Sequence, residues 1–314
     1  MTLSRYWASA AGLALGYLAD RVFGDSRRVH PVAAFGSTAA WLESRSYEDR
    51  KIPGLLHTGA LVGAATGLGV ALERLIAGRA AITVITTAAA AWAVLGSRSL
   101  SREATTIAGQ LRTNDLTAAR DQVRHLVGRD TAELSAEEVA RATVESLAEN
   151  ASDAVVAPLI WGAVAGLPGL LGYRAANTLD AMIGHRSPRY LRFGWAAARL
   201  DDLANWVPAR VTAVLAAIWA PLVDGTARKA IDVTRRDSGQ HPSPNAGVVE
   251  AAFAGALDVR LGGRNYYSGA IEDRGILGDG RTVEVADIAR ASRLAAAVSI
   301  TALLLAVVVR GWRS

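Results

Sequence analysis

The chain has 314 residues, 51% of them hydrophobic, no cysteine and a formal net charge of +5. The lack of cysteine excludes disulfides, thiolate metal sites and a cysteine nucleophile. The basic residues are almost all arginine (Lys51 and Lys229 are the two lysines) and are scattered, with no basic stripe of interleaved aromatics, so no nucleic acid is expected as a partner; anionic lipid headgroups or phosphorylated substrates are.

In chain order, residues 6–19 form an apolar first segment after Arg5. It resembles a signal peptide, but Asp20 and Arg21 follow at once and no convincing cleavage site is present, so it is read as a retained helix. The polar stretch DRVFGDSRRVHPV at 20–32 comes next, then an amphipathic helix over 32–45. Pro53–Gly54 opens an apolar block at 55–77, and a Gly78–Arg79 break leads into the uncharged run 80–96; together they read as a helical hairpin. Residues 97–149 are more polar, with Asn114–Asp115 as a turn and Ser135-Ala-Glu-Glu138 as a capping box before a helix from 136 to about 149. The uncharged block 154–172 is rich in Gly and Pro, which is tolerated at membrane depth where neighbours satisfy the freed backbone and is a mark of broken or re-entrant helices. A polar segment at 173–210, an apolar block to 223, a polar region at 224–293 with loop character at 261–280, and a last apolar helix at 294–309 complete the chain.

A bilayer span needs about 20 mostly apolar residues. Several blocks reach that length, while buried core helices of a large soluble protein are the alternative for the shorter ones. Alternating Val/Ile-rich strand patterns are scarce. The expected fold is therefore all-α: a polytopic integral membrane protein with re-entrant or broken helices, one domain over 1–314, a more soluble helical insertion at about 97–149 and a polar loop region at about 224–293. If 154–172 and 211–223 both cross fully, the polar motifs fall on two sides of the membrane. A re-entrant or half-helix in one of these blocks would bring them to one face.

Four polar clusters carry the candidate chemistry. Glu149, Asn150 and Asp153 share a helical face at i, i+3 and i+4, which suits a hard cation such as Mg²⁺; a capped, solvated helix end is the alternative. Arg174, Asn177 and Asp180, with His185 beyond, lie beside an apolar block, where carboxylates are costly and usually functional, although Arg174 could simply neutralise Asp180. Arg199, Asp201, Asp202, Asn205 and Arg210 resemble a cation or phosphate-bridging set, or else an acidic first turn favoured by the helix dipole. In His241-Pro-Ser243-Pro-Asn245, Ser243 reads as an N-cap and Pro244 as the first helical residue, so the helix start can receive an anion. Arg264, Asn265 and Tyr266 follow, and the amino-terminal stretch adds Asp20, Asp25 and His30. No P-loop, GxGxxG, HExxH or GxSxG motif is present.

The runs ENASDAVVAPLIWG, GYRAANTLDAMIGHRSPRY, FGWAAARLDDLANWVPARVTA and HPSPNAGVVEAAFAGALDVRLGGRNYY, preceded by DRVFGDSRRVHPVAAFG, together resemble the CobD/CbiB family of cobalamin biosynthesis, in collinear order over most of the chain. The resemblance implies a multi-pass membrane ligase that joins the propionate carboxylate of adenosylcobyric acid to the amine of aminopropanol phosphate or ethanolamine phosphate, giving adenosylcobinamide phosphate. ATP and Mg²⁺ are the expected cofactors, and a corrinoid the substrate. The expected location is the inner (cytoplasmic) cell membrane, with the active site on the cytoplasmic face. The lipid bilayer is one partner, and other late cobalamin-pathway membrane enzymes are a further partner class. On this reading Glu149, Asp153, Asp180, Asp201, Asp202 and His241 handle protons, and Glu149, Asp153, Asp180 and Asp202 hold Mg²⁺. Asn150, Arg174, Asn177, Arg199, Arg210, Ser243, Asn245, Arg264, Asn265, Tyr266, Asp20, Asp25 and His30 bind substrate. Two other classes remain open. A Mg²⁺-dependent prenyl or alcohol-phosphate transferase would show repeated DxxxD spacing, where this chain has LDD and NTLD. A transporter or sensor would line helices with polar groups at mid-membrane, where here they cluster at segment ends.

Overall fold

The computed structural model describes residues 5–24, 30–267 and 270–313. Thirteen α-helices and one β-hairpin are assigned among the described residues. Five helical runs are long and apolar enough to cross a membrane: Lys51–Leu75, Ala80–Arg112, Ala136–Gly184, Trp206–Val223 and Val285–Gly311. The protein is accordingly a polytopic, predominantly helical membrane protein. Its chain resolves into two compact units, each assembled from separated segments.

The first unit comprises Met1–Gly96, Ala157–Asn205 and Ala302–Ser314. Its helices are α1 (Arg5–Phe23), α2 (Pro31–Ser46), α3 (Lys51–Leu75), α4 (Ala80–Val94), α8 (Ala157–Leu179), α9 (Trp195–Ala204) and the end of α13 (Val285–Gly311). In lipid, helices associate through small residues that let backbones approach closely. Gly12 and Gly16, one GxxxG step apart on α1, do this against α4. A Cβ at Gly12 would sit 2.5 Å from Thr87 Cβ, and one at Gly16 would sit 2.5 Å from Ala91 Cβ. Both contacts advance in the same direction, so α1 and α4 run parallel. The expected hairpin of the 55–77 and 80–96 blocks is not what forms. α3 packs along α8, and α4 packs along α1 and α8.

Block 154–172 holds the decisive feature. Within α8, Gly166 has φ 65° and ψ −143°, a backbone state that only glycine adopts readily. A Cβ at Gly162 would lie 3.0 Å from Leu170 Cγ, one at Gly169 would lie 2.8 Å from Trp161 C, and Ala157 packs on Tyr173. In a straight helix, residues eight apart are separated by roughly 12 Å. These pairs therefore mean that the chain doubles back at Gly166, and both arms of α8 return to one end of the unit. The peptide N–H freed at the break is satisfied within the unit: Glu73 Oε1 accepts from Leu167 N–H at 3.0 Å, Arg310 Nη2 faces the same carboxylate oxygen at 3.5 Å, and Arg310 Nε donates to Ser9 Oγ at 3.2 Å. The re-entrant geometry expected from the Gly and Pro content is present as a helical hairpin.

The second unit comprises Ser97–Val156 and Trp206–Thr301. It holds α5 (Ser97–Arg112), α6 (Leu116–Val123), α7 (Ala136–Ala151), α10 (Trp206–Trp219), α11 (Ala227–Asp237), α12 (Ala246–Leu257) and the start of α13. α7 begins with the expected capping box: Ser135 Oγ accepts from Glu138 N–H at 3.2 Å, and Glu138 Oε2 accepts from Ser135 N–H at 2.8 Å. Segment 261–280, expected as loop, contains an antiparallel hairpin of β1 (Leu261–Tyr267) and β2 (Ala270–Leu277). Its alternation is hidden in the sequence by a bulge between Gly262 and Arg264, where Gly262 and Gly263 both have positive φ.

Candidate functional site

The sequence-predicted residues fall into a polar group in each unit. In the first unit they collect toward one end of the helices. The second arm of α8 carries Arg174, Asn177 and, on leaving α-helical geometry, Asp180. Residues Asp180–Gly184 form a π turn, and the Asp180 carboxylate lies directly over the Gly184 backbone, where any Cβ would collide with it. A chain of hydrogen bonds then links α8 to α9. Tyr173 Oη donates to Asn205 Oδ1 at 2.9 Å, Asn205 Nδ2 to Asp201 Oδ2 at 2.9 Å, Asn177 Nδ2 to Asp201 Oδ1 at 3.3 Å, and Arg174 Nη1 to Asn177 Oδ1 at 3.4 Å. Both oxygens of buried Asp201 thus accept from amides. Asp202, one residue on, is partly exposed and meets Arg199 at 3.4 Å. Burial raises its carboxyl above the ordinary range, and Arg199 and Arg186 oppose the shift.

Asp20 is fully buried near the end of α1. Leu13 of α1 meets Gly162 near the hairpin tip, and α1 runs away from it, so Asp20 lies about 10 Å further toward the end that carries Asn177 and Asp180. His30 precedes α2 without a side-chain cap. Asp25 lies outside the described residues.

In the second unit the polar group is built on α7, α12 and the β-hairpin. Glu145 of α7 is buried, accepting from Arg129 Nη2 at 2.6 Å and from Gly262 N–H at 2.8 Å. Glu149 follows one turn later and is half-buried. Asn150 turns back onto its own helix, donating to Ser146 O at 3.0 Å and Ser146 Oγ at 3.1 Å. Residues Ser152–Val156 form a second π turn. It locally widens the helix at Asp153.

Glu250, on α12, is 0% exposed, and neither of its carboxylate oxygens has a hydrogen-bond partner among the described residues. Burial, and then the charges of Glu145 and Glu149, push its carboxyl well above the usual range; Arg274 and Arg129 pull the other way. His241 is buried with its Nε2 3.8 Å from Glu250 Oε1. Its Nδ1 accepts from Ser243 N–H at 2.9 Å, so in the neutral ring the proton sits on Nε2, facing Glu250. This ring is enclosed, and its distance from Glu250 exceeds that of a hydrogen bond. The helix start differs from expectation. α12 begins at Ala246 with Asn245 as its cap residue, and the Ser243 hydroxyl accepts from the N–H groups of Asn245 and Ala246 at 3.3 and 3.2 Å. Pro244 therefore precedes the helix, because the Ser243 turn forms first. Arg210 of α10 donates to Asn245 Oδ1 at 3.2 Å and stacks over Trp206 at 4.4 Å. Arg264, Asn265 and Tyr266 lie on β1, and their side chains lie outside the described residues.

Among the described residues no three His, Asp or Glu side chains converge as a ready metal cage. The four carboxylates expected to hold Mg²⁺, Glu149, Asp153, Asp180 and Asp202, are thus not assembled into one. Asp180 packs on Gly184 and Asp202 meets Arg199. Sequence reasoning missed Glu145, Arg129, Tyr173 and Arg274. Glu145 carried a signal, since Arg141, Glu145 and Glu149 recur every fourth residue along α7; Arg129, in a loop, carried none.

Both motif-rich segments that flank the α8 hairpin carry π turns, which are rare and frequent at functional sites. A family model described as "CobD/Cbib protein" matches residues 13–295. A protein named "Cobalamin biosynthesis protein CobD" from Mycobacterium tuberculosis is 54% identical over 98% of this chain and 97% of its own. Proteins of the same name from Rhizobium meliloti and Geobacter metallireducens are 43% and 42% identical, covering 86% and 83% of this chain and 87% and 84% of theirs. No solved structure matches. The chain therefore belongs to the CobD/CbiB family of cobalamin biosynthesis proteins.

Proposed function

We propose that this protein forms an amide bond between the propionate carboxylate of adenosylcobyric acid and the amine of aminopropanol phosphate or ethanolamine phosphate, consuming ATP and releasing adenosylcobinamide phosphate. The observation that supports it most is the 54% identity to a cobalamin biosynthesis protein across nearly the whole chain. We place the reaction at the cytoplasmic face of the cell membrane, where ATP is available.

The chemistry requires activation. A carboxylate has a poor leaving group, so transfer of a phosphoryl group to the propionate oxygen makes an acyl phosphate that an amine can attack. Phosphoryl transfer is catalysed mainly by positioning and by charge stabilisation. Arg210, held against Asn245, and Arg199, beside Asp202, are partly exposed guanidinium groups suited to phosphate oxygens. The Ser243 hydroxyl, at the start of α12, supplies a further donor.

Mg²⁺ usually binds through one or two carboxylates together with substrate phosphates rather than in an all-protein cage. Carboxylates that do not converge in threes fit that use: Mg²⁺ would arrive with the nucleotide, and Asp180, Asp202 or Asp153 would each offer it an oxygen. Bound there, the ion would neutralise phosphate charge. Asp201, with both oxygens engaged, instead holds Asn177 and Asn205 in place.

The test is an assay on detergent-solubilised protein with adenosylcobyric acid, aminopropanol phosphate, MgCl₂ and ATP, following corrinoid mass. ATP-dependent appearance of the amide is expected, and Asp180→Asn is expected to abolish it. Full activity in that variant removes Asp180 from the site. No product from well-folded wild-type protein sinks the reading.

A further inference from the structure

In the first unit, the chain between the π turn at Asp180–Gly184 and the start of α9 makes a compact loop whose ends touch. A Cβ on Gly194 would collide with the Ile183 carbonyl. Compact surface loops of this kind are packed by their own side chains and are frequently functional. Phe193 is fully buried in the core that Ile183 and Ala197 share, and its carbonyl lies against Gly54 of α3. The outer part of the loop is held by one carboxylate. Glu43 of α2 is buried, and its Oε1 accepts from Arg189 Nη2 and from Tyr190 Oη, each at 2.9 Å. Tyr47 Oη donates to the Arg189 carbonyl at 2.9 Å, and the Arg189 guanidinium stacks over the Tyr47 ring at 4.1 Å. A charge removed from water is costly unless paired, so the Glu43 carboxylate binds these loop donors firmly. The loop's three arginines have different commitments. Arg189 is paired to Glu43, and Arg192 meets Asp49 at 3.8 Å. Arg186 is exposed, and no ion pair or hydrogen bond occupies it among the described residues. The touching ends of the loop set the Asp180–Gly184 turn beside α9, which carries Arg199 and Asp202. Arg186, two residues beyond that turn, therefore stands at the same polar end.

We infer that Arg186 binds a phosphate group of a substrate beside Arg199, and that Glu43 is the positioning residue that holds the loop for it. The ligand class is a phosphate monoester or anhydride, carried by the amino-alcohol phosphate or by ATP. A guanidinium offers five N–H donors in a planar fork that matches phosphate oxygens, and its charge opposes theirs. A group held on a fixed loop loses less freedom on binding, so its contact is stronger than that of the same group on a loose chain. Glu43 touches no substrate. It acts through Arg189 and Tyr190, which tie the backbone on the far side of Arg186 to α2.

The inference rests on the amide-forming reading for its substrates, and the experiment separates the two. Arg186→Gln, Glu43→Gln and the double variant are assayed with adenosylcobyric acid, ATP and aminopropanol phosphate, and each KM is measured in turn. Loss of a charged hydrogen bond to phosphate should raise the KM for ATP or for aminopropanol phosphate by ~10–150-fold in Arg186→Gln. The substrate whose KM moves is the one bound. The KM for adenosylcobyric acid, which has no phosphate, should stay unchanged. Glu43→Gln should raise the same KM. The double variant should be no worse than Arg186→Gln alone to within about twofold, because Glu43 acts through the loop that carries Arg186. Unchanged KM values in either single variant overturn the inference. So does a double variant whose effect is the product of the two single effects, and so does an equal rise in all three KM values, the mark of a merely structural change. Should Glu43→Gln fail to fold, Tyr190→Phe removes one donor to the same carboxylate and is read by the same criteria. If wild-type protein makes no amide, the amide-forming reading falls, and calorimetric binding of ATP and of aminopropanol phosphate decides this inference. Weaker binding of either to Arg186→Gln then supports it, and unaltered binding of both overturns it.

Discussion

Replacing Gly166 with alanine tests the helical hairpin directly. At φ 65° and ψ −143° the backbone occupies a region that residues with a Cβ avoid, at a cost of ~1–3 kcal/mol. The new methyl would also meet the Glu73 carboxylate and stand 2.5 Å from Arg310 Nη2. Glu73 must then withdraw from Leu167 N–H, and a hydrogen bond to a charged group is worth ~1.5–3 kcal/mol. The combined destabilisation is about 2.5–6 kcal/mol. For a chain of this size that corresponds to a fall in Tm of at least about 5 °C. Thermal unfolding of detergent-solubilised protein, followed by tryptophan fluorescence, is the assay. Gly59→Ala is the control, because nothing lies within 4 Å of a Cβ there and α3 is helical. It should be neutral or stabilising by ~0.5–1 kcal/mol. If the two variants melt together, the chain does not turn at Gly166 as described.

Arg129→Met leaves Glu145 buried with the Gly262 N–H and the more distant Arg141 Nε at 4.0 Å, which should cost ~3–5 kcal/mol; the double variant Arg129→Met, Glu145→Met should regain much of the lost melting temperature, and a double variant no better than the single would refute the pairing. Asp237 accepts from Arg236 Nε at 2.7 Å and Nη2 at 2.8 Å and from Gly278 N–H at 2.9 Å, and the Arg236 guanidinium holds its carboxyl below the ordinary range against the effect of burial. Its stabilisation is complete above the unfolded value of about 4 and is lost as pH falls through the lower native value, so the stability gap between wild type and Asp237→Asn should be widest at neutral pH and close in acid. Gly16→Val forces α1 away from Ala88 and Ala91 and should cost ~1–3 kcal/mol in melting experiments, whereas Gly63→Val, with open space around it, should not.

The helical elements were legible because their signals are local. Ser135 and Glu138 sit three apart and cap each other as the spacing requires. Pro31 opens α2, and the Gly and Pro content of 154–172 marked a broken helix that the structure resolves as a reversal. Packing partners were less legible. The short break at Gly78–Arg79 suggested that α3 and α4 pair, yet the Gly12 and Gly16 notches draw α4 to α1 instead. The β-hairpin escaped notice because two positive-φ glycines and a bulge erase period-two alternation at its start. At the site, residue types were readable and their commitments were not. Asp201 and Asp202 are neighbours in sequence, but one is enclosed by two amides and the other faces an exposed arginine. Glu250 follows the HPSPN motif in sequence, and its burial shows only once α12 is seen to be enclosed.

The reversal at Gly166 also constrains how the protein is made. The second arm, Leu167–Gly184, carries Arg174 and Asp180, and charged residues at the centre of a helix cost ~2.5–3.5 kcal/mol each to insert through the translocon. With those charges and two flanking polar residues, Asn177 and Thr178, this arm is a poor candidate for independent insertion. The first arm, uncharged from Ala154 to Gly166, is a good one. The ribosome delivers Gly166 between them, so the polar arm enters the bilayer folded against its apolar partner, as a pair released together. Biogenesis thereby depends on one glycine at the tip: a residue that hinders the reversal would lower the yield of membrane-inserted protein as well as its stability.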